Sequence, residues 1–264
     1  MRTSILIAGL VAGIVAVSLF APTATAQVYT DPVGFVKADT VKNGLTMISV
    51  PLDAGDKKLN GVAGCVGDMI KENLLGGPGL GAADVVYKWD PAVQDYKYAF
   101  LVKAPGTPYD GKWFDPKAGQ PSTLTFDSGE AMWILRRNTG TNPAIITFLG
   151  WVPMEATTSV SLIQGLTMFN WPYPTTLKLN DSTLYTVADG GPGLGAADVV
   201  YKWDSALQDY SYSFLVDAPG SPFHGKWFDP KKAALSDITF EPGIGFWFLR
   251  RPAAACVWPC TRPY

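Results

Sequence analysis

The chain has 264 residues and a formal net charge of −2, with 47% of its positions hydrophobic and 12% aromatic. That balance supplies no electrostatic footprint for nucleic acid or an anionic lipid surface. A single His excludes a multi-His metal centre. Frequent Gly, Pro and aromatic residues fit a turn-rich β protein.

Arg2, the apolar run Ile5 to Phe20 and the small-x-small site Ala24-Thr25-Ala26 form an export signal in the right order. The run is shorter than the roughly 20 residues of a membrane span. Residues 1–26 are therefore expected to be a cleaved signal peptide. The mature chain would begin at Gln27, with no membrane insertion, and act outside the cell or on its surface. What remains is long enough for two domains of ordinary size.

The next feature is a repeat. Gly76 to Asp90 reads GGPGLGAADVVYKWD, and Gly190 to Asp204 is identical. The match runs without a gap to Arg136-Arg137 and Arg250-Arg251, with most positions shared. Before that block, Gly44-Leu45-Thr46-Met47 matches Gly165-Leu166-Thr167-Met168. Gly34-Phe35-Val36 matches Gly150-Trp151-Val152. The chain thus divides into a first module over 27–144 and a second over 145–264.

Within a copy the apolar period is two. Val85, Tyr87 and Trp89 share one face, and Tyr96, Tyr98 and Phe100 alternate in the same way. Asp90 to Asp95 reads as the loop of a hairpin. The second copy exchanges Lys97 and Ala99 for Ser211 and Ser213 but keeps every aromatic, so the aromatic face is expected to be the buried one. Ala131 to Leu135, matched by Gly245 to Leu249, is apolar on both faces and should be central. Only Val62 to Leu75 has helical character. The expected fold is all-β: two tandem homologous modules, each a sandwich or a partly closed barrel.

The Gly76 to Gly81 loop precedes a strand and contains Pro, so a turn fits it better than a phosphate loop. Asp90, Asp115 and their copies Asp204 and Asp229 read as turn openers rather than as a Ca²⁺ site or a catalytic carboxylate pair. No cofactor or metal is called for. His224 is replaced by Asp110 in the first copy and reads as a surface residue. The alternating aromatics read as core. Trp113 and Trp227, in Gly-Lys-Trp-Phe-Asp-Pro loops, are the exceptions and the candidate ligand-binding residues, with a glycan or a protein as partner.

Cys256 and Cys260 flank Val-Trp-Pro, and a turn at Pro259 would let them form a disulfide. Cys65 reads either as buried and inert or as bridged to that pair or to another chain. Ile145 to Val152 follows the first module, and no like segment follows Arg251. Two readings of the second module's edge are open. A neighbouring chain's Val28, Tyr29, Val33, Phe35 and Val36 could add as a strand and build filaments head to tail. Alternatively, Cys256 to Tyr264 could cover the edge itself.

The segments from Gly44 to Leu52, Val86 to Asp90, Ser128 to Trp133 and Ile146 to Gly150 follow one order. In that order the chain resembles the uncharacterised secreted two-repeat β proteins typical of Verrucomicrobia and related bacteria. Met168 to Pro172 lacks the Ile-Ser-Val core of that pattern, and Gly243-Ile244-Gly245 lacks its Glu. The resemblance implies an exported β-rich protein and supplies no catalytic residues. The function expected is non-enzymatic: a structural or interaction protein of the cell surface or matrix, self-assembling. The alternative is carbohydrate binding through the loop tryptophans.

Overall fold

Period-two alternation becomes strand wherever the sequence carries it. The computed structural model describes residues 31–137 and 144–264. The expected signal peptide, Val28 and Tyr29 lie outside them.

The first repeat contains β1 (Val33–Thr40), β2 (Gly44–Ser49), α1 (Val66–Lys71), β3 (Val85–Asp90) and β4 (Asp95–Leu101). It continues with β5 (Trp113–Asp115), β6 (Gln120–Pro121), β7 (Ala131–Arg136) and β8 (Ala144–Trp151). The second contains β9 (Thr157–Leu162), β10 (Gly165–Phe169), β11 (Leu177–Lys178), β12 (Val199–Asp204) and β13 (Asp209–Leu215). It ends with β14 (Trp227–Asp229), β15 (Ala234–Leu235), β16 (Thr239–Phe240), β17 (Phe246–Arg250) and β18 (Cys256–Thr261).

Each repeat builds a six-stranded antiparallel sheet. The orders are β2-β7-β3-β4-β5-β6 and β10-β17-β12-β13-β14-β15, so equivalent strands take equivalent places. The fold is all-β and sandwich-like, and neither sheet closes into a barrel. The hairpin expected at Asp90 to Asp95 is present, with Asp90 opposite Asp95. β7 and β17 are interior strands, as apolarity on both faces requires. The helical segment shrinks to α1, which begins after Gly64, at φ +84°.

A two-stranded ribbon covers one face of each sheet. β1 pairs with β8 over the first sheet, and β9 pairs with β18 over the second. This corrects the repeat boundary. Residues 144–151 close the first repeat, so β1 corresponds to β9 and β8 to β18. The match of Gly34-Phe35-Val36 to Gly150-Trp151-Val152 was a local likeness between the two strands of one ribbon, where Gly34 lies opposite Gly150. The second repeat supplies its own C-terminal strand, β18, in the place that β8 takes in the first, as the self-covering reading expected.

Between sheet and ribbon lie two cores. The first gathers Ile48, Val86, Ile134, Ile146 and Phe148 with Val66 and Ile70 of α1. The second gathers Phe169, Val200, Phe240, Phe246, Phe248 and Trp258. Ala99 and Ser213 are both fully buried on this inner side, so the exchange between copies is not confined to a solvated face. Ser213 is accommodated by a 2.7 Å hydrogen bond to Ser236. Residues 31–264 form one compact unit, and the outer faces of the two sheets meet within it.

Candidate functional site

The identical block has a structural cause. Asp84 is buried and accepts hydrogen bonds from the backbone N–H of Leu75 (2.8 Å) and Arg137 (2.7 Å). Arg137 then reaches over the glycine-rich loop and donates to the carbonyls of Ala83 and Leu80. Asp198 and Arg251 repeat every one of these contacts, and Arg250 adds a 2.8 Å ion pair to Asp198. A buried carboxylate satisfied in this way holds a loop; it is not presented to a substrate. Asp90, Asp115, Asp204 and Asp229 accept from backbone N–H groups two or three residues on, which is the turn role expected of them. His224 is exposed, 3.4 Å from Asp217. Among the described residues no group of three or more His, Cys, Asp or Glu could hold a metal ion.

Trp113 and Trp227 are not presented at the surface, contrary to the expectation for ligand residues. Their exposures are 0% and 1%. The loop that carries each is pulled inward by an asparagine far away in sequence. Asn60 pairs with the N–H and carbonyl of Trp113, and Asn180 does the same for Trp227. Both rings enter the inner cores.

The expected disulfide is absent as well: Cys65, Cys256 and Cys260 are all free thiols. Cys256 and Cys260 lie four residues apart along β18, where an extended strand separates them by about 13 Å. A disulfide tolerates no more than about 7 Å between Cα atoms. Pro259 sits within the strand, opposite Ser159, and makes no turn. Cys65 and Cys260 are buried, as the inert reading of Cys65 expected. Burial pushes the Cys260 thiol far above its usual range and raises Cys256 to a lesser degree.

The aromatic residues build the most distinctive surface. On the outer face of the first sheet Tyr98, Tyr87 and Tyr96 follow one another, with ring centroids 5.6 and 5.9 Å apart. Tyr212, Tyr201 and Tyr210 repeat the row at 5.8 and 5.9 Å. The rows meet where the repeats pack about a pseudo-two-fold axis. Trp89 lies edge-on to Trp247 at 5.2 Å, and Trp133 to Trp203 at 5.1 Å. Trp89 Nε1 donates to the Leu166 carbonyl, and Trp203 Nε1 to the Leu45 carbonyl.

Two glutamines lock this contact. Gln94 accepts from the Leu166 N–H (2.7 Å) and donates to its carbonyl (2.9 Å). Gln208 does the same at Leu45. Each side-chain amide thus extends a backbone ladder of the other repeat. Both residues hold left-handed backbone, at φ 52°. Ser49 N–H to Gly243 carbonyl and Asn170 N–H to Gly129 carbonyl form a second related pair. The departures noted in the second copy belong here. A Cβ at Gly245 would sit 2.7 Å from Ala131 and Met47. Lys202 pairs with Glu241, where Lys88 uses Glu130, so Ile244 needs no carboxylate.

This packing leaves two clefts of about 380 and 320 Å³. Leu45, Tyr87, Trp133, Leu135 and Trp203 line one; Leu166, Tyr201, Trp247 and Leu249 line the other; Tyr96 and Tyr210 belong to both. Tyr96 Oη accepts from Trp133 Nε1, and Tyr210 Oη from Trp247 Nε1. Their own protons are left to be donated. Burial raises the pKa of all four cleft tyrosines, so the phenols stay protonated at neutral pH.

A second surface lies on the first ribbon. Its outer side shows Val33 beside Trp151 and Phe35 beside Leu149. Val33 is 70% exposed and Phe35 64%. Val36 points inward against Gly243, so of the three expected assembly residues that are described, Val33 and Phe35 face outward. The equivalent side of the second ribbon carries Thr157, Ser159 and Ser161 opposite Thr261, Pro259 and Val257.

No protein-family model, curated protein or solved structure matches the chain.

Proposed function

We propose that the chain is an exported, non-enzymatic interaction protein of the cell surface or matrix that associates with itself through the outer face of the β1–β8 ribbon. The observation that carries this reading is the contrast between the two ribbons. They are equivalent parts of one chain, so each serves as a control for the other. The second folds with Thr157 and Thr261 in the places of Phe35 and Leu149, and shows Val257 as its one exposed aliphatic side chain on that face, so folding alone gives no reason for an outward Phe35 and Leu149 beside Val33 and Trp151. A contiguous exposed apolar patch on a soluble protein marks an interaction site. The export signal and the resemblance to secreted repeat proteins support the location. The binding of Asp84, Asp90, Asp115 and their copies into turns and loop anchors supports a role other than catalysis. A contact between side-chain faces is favoured over strand donation, since the chain's own β18 pairs with β9.

Sedimentation of the chain lacking residues 1–26 tests the proposal. Concentration-dependent association is expected, and Phe35→Ser with Leu149→Thr should abolish it while the circular dichroism stays unchanged. A chain that remains monomeric at high concentration would sink the idea.

A further inference from the structure

The twin clefts concern a different surface and a different partner. Their lining is restricted to Leu, Tyr and Trp. The indole N–H groups of Trp133, Trp203 and Trp247 are already used within the protein. What the clefts offer a ligand is aromatic and aliphatic surface, plus phenol protons along the ridge where Tyr96 and Tyr210 meet. They present no charge, carboxylate or amide.

A sugar ring fits this poorly. Its many hydroxyl groups need acceptors as well as donors, and a hydroxyl buried without a partner is costly. A proline-rich peptide is the complement. Its rings are apolar, its tertiary amides have no N–H, and its extended left-handed helix leaves every carbonyl free to accept. Aromatic-lined grooves are a recurring way to hold such segments. The arrangement adds a second match: two apolar notches about a pseudo-two-fold axis, with donors between them, suit a helix whose rings and carbonyls recur at short intervals. We propose that the clefts form one binding site for a proline-rich segment in the polyproline II conformation, a ring seated in each notch and the Tyr96 and Tyr210 hydroxyls donating to its carbonyls.

Intrinsic tryptophan fluorescence is the readout, since three indoles line the clefts. The chain lacking residues 1–26 is titrated with an oligoproline peptide, a glycine–serine peptide of equal length and a neutral β-glucan oligosaccharide. Saturable binding of oligoproline alone is expected. Tyr96→Phe with Tyr210→Phe keeps both rings and removes both donors, and should weaken binding about tenfold. Should that pair unfold the protein, Leu135→Gln with Leu249→Gln, which alters the walls and leaves the tyrosines in place, should weaken binding likewise. Phe35→Ser on the ribbon should leave it unchanged, which separates this site from self-association. Absence of saturable oligoproline binding, binding of the oligosaccharide in its place, or full affinity in both folded cleft variants would overturn the proposal.

Discussion

Trp113 and Trp227 show how one side chain can mislead. Their Gly-Lys-Trp-Phe-Asp-Pro setting has the composition of an exposed loop, and the residues that bury them, Asn60 and Asn180, lie in segments with no visible pattern. Substitution by Ala at either should destabilise by about 3–5 kcal/mol, read as a fall in melting temperature. The two are not equal in detail. Trp113 Nε1 donates to the Gly67 carbonyl at 3.1 Å, whereas Trp227 Nε1 is buried without an acceptor. Trp113→Phe should therefore cost about 1 kcal/mol more than Trp227→Phe in urea unfolding. Equal losses would contradict that accounting. The thiols give another check. Alkylation of the native protein should modify half-buried Cys256 first and leave Cys65 and Cys260 intact until unfolding. Mass spectrometry without reduction should find three free thiols.

At the level of elements, the alternating aromatics located β3, β4, β12 and β13 from sequence, because a period of two has one physical reading. The ribbons were harder. Val33–Thr40 and Thr157–Leu162 occupy the same place with almost no residues in common. What they share is alternation facing a core, and identity searching is blind to that. The clamp at Gln94 and Gln208 was also illegible. Gln-Asp-Tyr recurs in both copies, yet nothing local reveals that the amide reaches across to the other repeat. Gln94→Ala and Gln208→Ala should each lose about 1–2 kcal/mol by chemical denaturation, and by similar amounts, since the contacts are related by the pseudo-two-fold axis. A loss at one position and none at the other would refute that equivalence.

For the whole molecule, the repeat predicted two modules, and the outer sheet faces make them halves of one body. Calorimetry should give one cooperative transition rather than two. The half-buried tyrosines of the clefts are expected to weaken the fold at alkaline pH. In the folded state Tyr87, Tyr96, Tyr201 and Tyr210 have pKa values raised above the unfolded value of about 10. Their contribution to stability is fully present below that value and is lost as pH rises through the higher folded values. The melting temperature should hold from neutral pH to about 10 and fall beyond it. Replacing Tyr96 and Tyr210 by Phe should reduce that fall.

The unlike ribbons would also set the valency of the proposed self-association. A symmetric dimer of separate repeats would carry the same apolar face at both ends, and each particle could join two others without limit. Fusion in one chain lets one end change while the other does not. With Phe35 and Leu149 on one ribbon and Thr157 and Thr261 in the equivalent places on the other, the proposed association would use one ribbon face per molecule. Two such faces can satisfy each other about a new two-fold axis, and growth then stops. Converting Thr157 to Phe and Thr261 to Leu would give the second ribbon the same pair and should turn pairs into chains.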